Sequence, residues 1–283
     1  MTTEIRYGKA HVVFYRLAGR SARPFAASVD VDVFGERFLH AYTEGDNREI
    51  VATDTMKNFV YAMAAEYTGA SLAGLCAFLG RRLLATYPVM EALRVSAREI
   101  PLDPVSSPDG PSGVLFRSTR GDLGVAQVDL DGRDAEARVT AARTGWEDLV
   151  LLKTTGSSFV AFARDAYTSL PELVDRPLTL RMDAHWRHVT VADATAEGPP
   201  GSVGARAVRD ELERTFHDFD SRSIQHLVHE MGTRLLAAHP ELAEIEFSAE
   251  NRTPDHVRDG PGGVKIFAEP RPTFGRIGLL LRR

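Results

Sequence analysis

The residues best equipped for chemistry in this chain are Thr53-Asp54-Thr55. They follow the apolar run Ile50 to Ala52 and precede an amphipathic stretch, where a strand end gives way to a helix start. All three favour helix N-caps. Unsatisfied backbone N–H groups at such a start favour anionic oxygen. The Thr53 hydroxyl can donate or accept a proton, and Asp54 supplies a carboxylate. Other reactive types are less well arranged. His226-x-x-His229-Glu230 puts two imidazoles on a similar helix face, but no third ligand stands at recognisable spacing, so no metal is expected. His185 and His188 fall on opposite faces of a strand. Cys76, the single cysteine, shares helical spacing with Leu72, Leu75 and Leu79 and reads as a buried thiol, not a nucleophile. The glycines between Pro108 and Gly113 make a turn-rich loop without phosphate-cradling spacing.

The elements that must position these groups belong to an ordinary globular chain. It has 283 residues, 43% hydrophobic and 26% charged, long enough for two domains. A net charge of −5 and a pI near 6.0 argue against a nucleic-acid surface. No apolar run approaches the roughly 20 residues that span a bilayer. The opening Met1 to Tyr7 has no apolar signal core, so a cytoplasmic protein is expected, with no membrane partner.

Strand patterns run over His11–Leu17 and Phe25–Val33. Met56, Phe59, Val60 and Met63 stripe one helix, and Leu72, Leu75, Cys76, Leu79 and Leu83 a second, capped by Ser71 and followed by Pro88. Strands follow at Ala92–Ile100 and, past the loop 101–113, from Val114 to Ser118 and on through Val125 to Leu130. The second half repeats the order. Strands are expected at Glu136–Arg143, Leu149–Thr154 and Leu178–Trp186. A Gly/Pro-rich loop from Glu197 to Gly204 then leads to helices from Ala205 and from Ser221 or Ser223. Strands at Ala243–Phe247, Val264–Ala268 and Ile277–Leu281 close the chain. The element order duplicates, β-β-α-α-β-β twice, without a visible residue-level repeat. Such a unit is an antiparallel four-stranded sheet with two helices on one face, an α+β architecture, and its open edges must be covered or paired. The expected domains are 1–133 and 134–283.

Several blocks resemble the urate oxidase (uricase) family in wording and order. They are Arg6-Tyr7-Gly8-Lys9, Thr43 to Asn47, the TDTxKNxVY block at Thr53 to Tyr61, Leu152 to Phe159, Arg164 to Leu170, Asp175-Arg176 and Asp218 to Gln225. The resemblance implies the tunnelling fold (T-fold), with two such units per chain and four chains in a homotetramer whose sites lie at subunit interfaces. It implies an oxidoreductase that turns urate, O2 and water into 5-hydroxyisourate and hydrogen peroxide without cofactor. Lys9 and Thr53 would be the catalytic pair, with Asp54 helping to hold the substrate from the same subunit. Phe159 would stack on the purine ring, Arg176 and Gln225 would grip its two ends, and Ile224 (backbone) and Asn251 would complete the pocket.

The residue chemistry fits these roles. Arg176 offers a planar fork of donors to an oxyanion edge. Gln225 carries an acceptor beside a donor pair, and Phe159 gives a flat apolar face. Lys9 works as a base only with a depressed pKa, and Thr53 could then pass protons between it, water and substrate. Taken singly, each has a plainer role: Arg176 after Asp175 as a surface ion pair, Phe159 as core, Lys9 as a turn lysine, Gln225 as a helix start.

The chain departs from the family after Asn251. Thr253 stands where the family has a histidine, and His256 follows beyond Pro254. A threonine can relay a proton but cannot store one near neutral pH. Three readings follow: a uricase with an altered relay, a paralogue oxidising another purine-like or enolisable heterocycle, or a catalytically weak purine-binding homologue.

Overall fold

Alternation over Phe25–Phe34 places Ala27, Val29, Val31 and Val33 on one face, all buried, and Asp30 and Asp32 on the other. That single face is what two helices cover. The structure, a computed structural model, describes residues 4–17, 23–119, 121–132, 137–196, 204–270 and 272–283. The chain divides into two units, Met1–Gly145 with Arg187–Ser202, and Trp146–Trp186 with Val203–Arg283.

The first unit contains β1 (Arg6–Arg16), β2 (Phe25–Phe34), α1 (Leu39–Thr43), α2 (Thr53–Glu66), α3 (Leu72–Thr86), β3 (Ala92–Glu99), β4 (Leu102–Ser107), β5 (Gly110–Ser118) and β6 (Leu123–Asp131). Strands β1-β2-β3-β6 form an antiparallel sheet in that order. Met56 and Val60 of α2 and Leu75, Cys76, Leu79 and Leu83 of α3 pack on its apolar face, as their spacing predicts. The Ser71 hydroxyl caps α3 by accepting from Gly74 N at 2.9 Å. Cys76 is fully buried, and burial pushes its thiol pKa up, so it is no nucleophile.

Continuing from β7 (Arg138–Lys153), the second unit holds β8 (Leu178–His188), α5 (Ala205–Asp218), α6 (Ile224–Ala238), β9 (Leu242–Arg252), β10 (His256–Asp259), β11 (Lys265–Phe267) and β12 (Gly275–Arg282), while the short α4 (Val191–Thr195) belongs to the first. The strand order is β7-β8-β9-β12, with β9 and β12 antiparallel. Leu212 and Phe216 of α5 and Leu227, Val228, Met231 and Leu235 of α6 form the core with Leu180, Trp186, Ile245 and Phe247.

Four expectations are corrected. The segment 101–113 is no loop: most of it is the β4–β5 hairpin, turning at Ser107–Gly110, where Gly110 has a φ of 111°. The strands expected at Glu136–Arg143 and Leu149–Thr154 are the single strand β7; Glu136 itself, like most of the loop 197–204, lies outside the described residues. The strand at Val264–Ala268 shortens to β11, which pairs with β10 and not with the main sheet. Finally, Ala52 and not a threonine is the N-cap of α2, and the cap makes no side-chain hydrogen bond; Thr53 is the first helical residue.

The duplication also extends to single residues. In β1, His11 has a φ of 59° and its N–H donates to Asp30 of β2 at 2.6 Å; in β7, Asp148 has a φ of 59° and its N–H donates to Asp183 of β8 at 3.0 Å. The neighbours correspond too, Ser28 meeting His11 and Arg181 meeting Asp148. Ser71 and Ser223 cap equivalent helices, each through the N–H three residues on. Gly80 and Gly232 hold equivalent turns, where a Cβ would strike Leu130 and Leu281 respectively.

Candidate active site

In the first unit the strand register decides where Lys9 points. Val12 pairs with Val29, but Lys9 pairs with Val31, because two residues of β1, Ala10 and His11, oppose one of β2. This is a β-bulge, and the positive φ of His11 marks it. Cross-strand partners share a face, so Lys9 joins Val31 on the face that α2 and α3 cover. A regular register would have set it opposite Asp32, on the other face. Gly8 is required beside it, since a Cβ there would collide with the Val31 carbonyl. One residue earlier, the Tyr7 ring meets Phe38 edge-on at 5.0 Å, and its Oη accepts from Val51 N at 3.2 Å. Burial raises the Tyr7 phenol pKa. Tyr7 thus ties the Lys9 strand to the segment leading into α2, whose first residues are Thr53 and Asp54.

Lys9 and Thr53 are half-buried, and Asp54 is exposed. Asp54 pairs with Lys57 and accepts from Asn58 Nδ2 at 3.2 Å. The Lys57 hydrogen bond and charge hold its carboxyl below the usual range, and the charge of Lys9 acts in the same direction. The first unit therefore brings Lys9, Thr53 and Asp54 into one neighbourhood.

Within the second unit a cleft of about 1200 Å³ gathers Phe159, Arg176, Asn251, Thr253 and His256. Three segments build it. Phe159 and Leu173 exchange backbone bonds of 2.7 and 3.0 Å, and Arg176 N donates to Ser157 O at 2.9 Å. Asp175 accepts from the Thr155 hydroxyl at 2.7 Å and from Gly156 N at 2.8 Å, bonds that hold its carboxyl below the usual range. The plainer role for Arg176, a surface ion pair with Asp175, is therefore not what the chain forms. Arg176 turns inward instead and is only 7% exposed.

Arg176 is an unusual buried charge. No carboxylate pairs with it among the described residues, and desolvation lowers its pKa. Its Nη1 donates to Thr253 Oγ1 at 3.0 Å, its Cζ lies 5.7 Å from the Phe159 ring centroid, and its buried Nε has no hydrogen-bond partner. Thr253 in turn donates to Asn251 Oδ1 at 2.6 Å. A buried cation without a countercharge is costly unless an anion meets it. Phe159 is backed by Phe162, stacked at 4.8 Å and 10°, a support that the F-x-x-F spacing signals but chemistry-led reading passes over. His256 lines the cleft, with its Nε2 3.0 Å from Asp259 and its ring edge-on to Phe267.

Ile224 and Gln225 do not line this cleft. Ile224 is core at 2% exposure, and Gln225 is exposed in the first turn of α6. Ser223 caps that helix, which frees Ser221 for a different task. Ser221 bridges to the Phe159 segment, with Ser158 N donating to its carbonyl at 2.8 Å and its own N donating to Gly156 O at 3.1 Å. Gln225 therefore stands four residues from an anchor on the segment that leads into Phe159.

Besides the charged residues Arg252, Asp255, Asp259 and Lys265, the cleft sets the Arg176 cation, the Phe159 ring face and the neutral polar Asn251 and Thr253 together, a set suited to a flat anionic heterocycle. Comparison with known proteins agrees. The family model described as Uricase matches residues 5–121 and 142–271. The uricase of Haloferax volcanii is 38% identical over 294 residues, covering 96% of this chain and 96% of its own. That of Halalkalicoccus jeotgali is 37% identical, covering 95% of each. Among solved structures, urate oxidase from Bacillus sp. TB-90 matches with a TM-score of 0.93 at 30% identity, covering 99% of this chain and 100% of that one. A uricase from Bacillus fastidious matches with a TM-score of 0.90 at 35% identity, covering 98% and 93%. The α+β architecture is thus the tandem tunnelling fold that the sequence blocks imply. With the family matched over most of its length and the same fold in place, this chain belongs to the uricase family.

Proposed function

We propose that the chain oxidises urate: urate, O2 and water give 5-hydroxyisourate and hydrogen peroxide. The observation that carries this reading is Arg176, a buried guanidinium that has no carboxylate and no partner for its Nε among the described residues, set against the ring of Phe159. Arg176 holds the anionic edge of the ring system and Phe159 stacks on its face. Gln225 and the Ile224 backbone take the opposite edge, reached from the α6 start that Ser221 anchors. Lys9 and Thr53 move the proton, Asp54 helps hold the substrate, and Asn251 serves the oxygen or water position. The electrons come from urate itself, an electron-rich anion that can reduce O2, so the reading names no cofactor.

The residues fall in two sets, Lys9, Thr53 and Asp54 in the first unit and the rest in the second. The reading assigns them to different copies in a homotetramer, with sites at subunit interfaces, and treats residues 1–133 and 134–283 as the two tunnelling-fold domains. The family membership and the two separate residue sets support this. The test is direct. Purified protein given urate in air consumes urate and O2 and releases peroxide in equal amounts, with no added cofactor, as urate's ultraviolet band disappears. No turnover at high enzyme concentration from neutral to alkaline pH rejects the proposal.

A further inference from the structure

We propose that Thr253 is a positioning residue that sets the hydrogen-bond polarity of the cleft. Arg176 can only donate, so the Thr253 hydroxyl, 3.0 Å from its Nη1, must accept. The hydroxyl has a single proton, and it goes to Asn251 Oδ1 at 2.6 Å. Asn251 therefore spends its carbonyl on Thr253 and keeps its two Nδ2 protons for another partner. Arg176 likewise keeps a buried Nε–H that has no partner among the described residues. Both residues line the cleft, and both meet a ligand as donors. One hydroxyl thus holds the Arg176 guanidinium in place and fixes the Asn251 amide in the sense that suits an anion or an electron-rich oxygen. Without it, the Asn251 amide is free to rotate by half a turn and present its carbonyl, which repels the same ligand.

This inference rests on the reading of Arg176 as the residue that holds urate, and the experiment separates the two. Urate binding is measured calorimetrically without oxygen, so that turnover does not interfere, and steady-state kinetics are run in air. Thr253→Val keeps the side-chain shape and removes the hydroxyl. Hydrogen bonds to charged groups are worth enough that its urate Kd and KM are expected to rise about 10-fold or more, with kcat falling less. Thr253→Ser and Thr253→Ala lose the same methyl and differ by one oxygen, so they decide the matter even if the valine variant does not fold. Serine is expected to bind within about 2-fold of the parent protein and alanine as weakly as valine. Equal binding by serine and alanine variants, or unchanged binding by valine, overturns the role of Thr253 while leaving urate as the ligand. Failure of the unaltered protein to bind urate overturns the functional reading itself.

Discussion

Arg176 shows how a single residue carries a functional argument against its own stability. Burial disfavours the charged guanidinium and lowers its pKa, and the group remains protonated throughout the ordinary pH range. The penalty therefore weighs on the fold at every such pH, with no carboxylate among the described residues to offset it. Arg176→Leu is expected to abolish anaerobic urate binding while leaving Tm equal to or above that of the parent protein. A fall of more than about 3 °C, the equivalent of roughly 1 kcal/mol for a chain of this size, would assign the residue a structural role instead. The sequence carries the identity of this residue through the Asp175-Arg176 block, but not its surroundings. The chain bends at 174–175, so the Asp175 carboxylate turns back onto Thr155 and Gly156 while the Arg176 guanidinium reaches Thr253. A neighbouring carboxylate in sequence is no countercharge in space. The Thr253 bond was illegible for the same reason: it joins residues 77 positions apart.

At the scale of elements, periodicity found what it is sensitive to. Helices α2, α3, α5 and α6 bury one stripe each, so a 3.6-residue pattern locates them. The β4–β5 hairpin has no buried residue, so no alternation marks it and its Pro and Gly content mimics a loop. The β1 bulge was equally invisible, because an extra residue leaves no composition signal. Yet it decides which face receives Lys9, and the acceptor holding it is Asp30, bonded to His11 N at 2.6 Å. Asp30→Ala leaves that N–H without its anchor, at a cost of about 1–2 kcal/mol. The strand is then expected to relax toward the regular register, placing Lys9 opposite Asp32 and lowering urate turnover. Deleting Ala10 in the same background removes the surplus residue and returns Lys9 to Val31. Recovery of turnover in the double variant is the expected result, and a deletion that lowers activity further would show that the bulge serves something other than the aim of Lys9.

Across the whole molecule, the two units share a frame and differ in what the frame presents. Counted from the equivalent positive-φ residues, Lys9 stands two places before His11 and Trp146 two places before Asp148. Thr53 opens α2, and Ala205 opens α5. Where the first unit has the amine and hydroxyl of the proposed catalytic pair, the second has an indole and a methyl. Trp146 is buried, donates from Nε1 to the Ala205 carbonyl at 2.6 Å, and carries the Arg209 guanidinium 5.0 Å above its ring. At the α6 start the asymmetry reverses, since Gln225 corresponds to Ala73 of α3 by the shared serine caps. Each unit thus retains half of the proposed machinery, and its counterpart positions are given over to packing. The double substitution Trp146→Lys with Ala205→Thr writes the first unit's pair into the second. Removing a buried indole typically costs about 3–5 kcal/mol, and the lysine is added to a desolvated position. A large fall in Tm is therefore expected, and in a Lys9→Met background no return of urate turnover. Turnover restored there would mean that the second unit's frame is still catalytically competent, and that the division of labour between the units lies in these two residues alone.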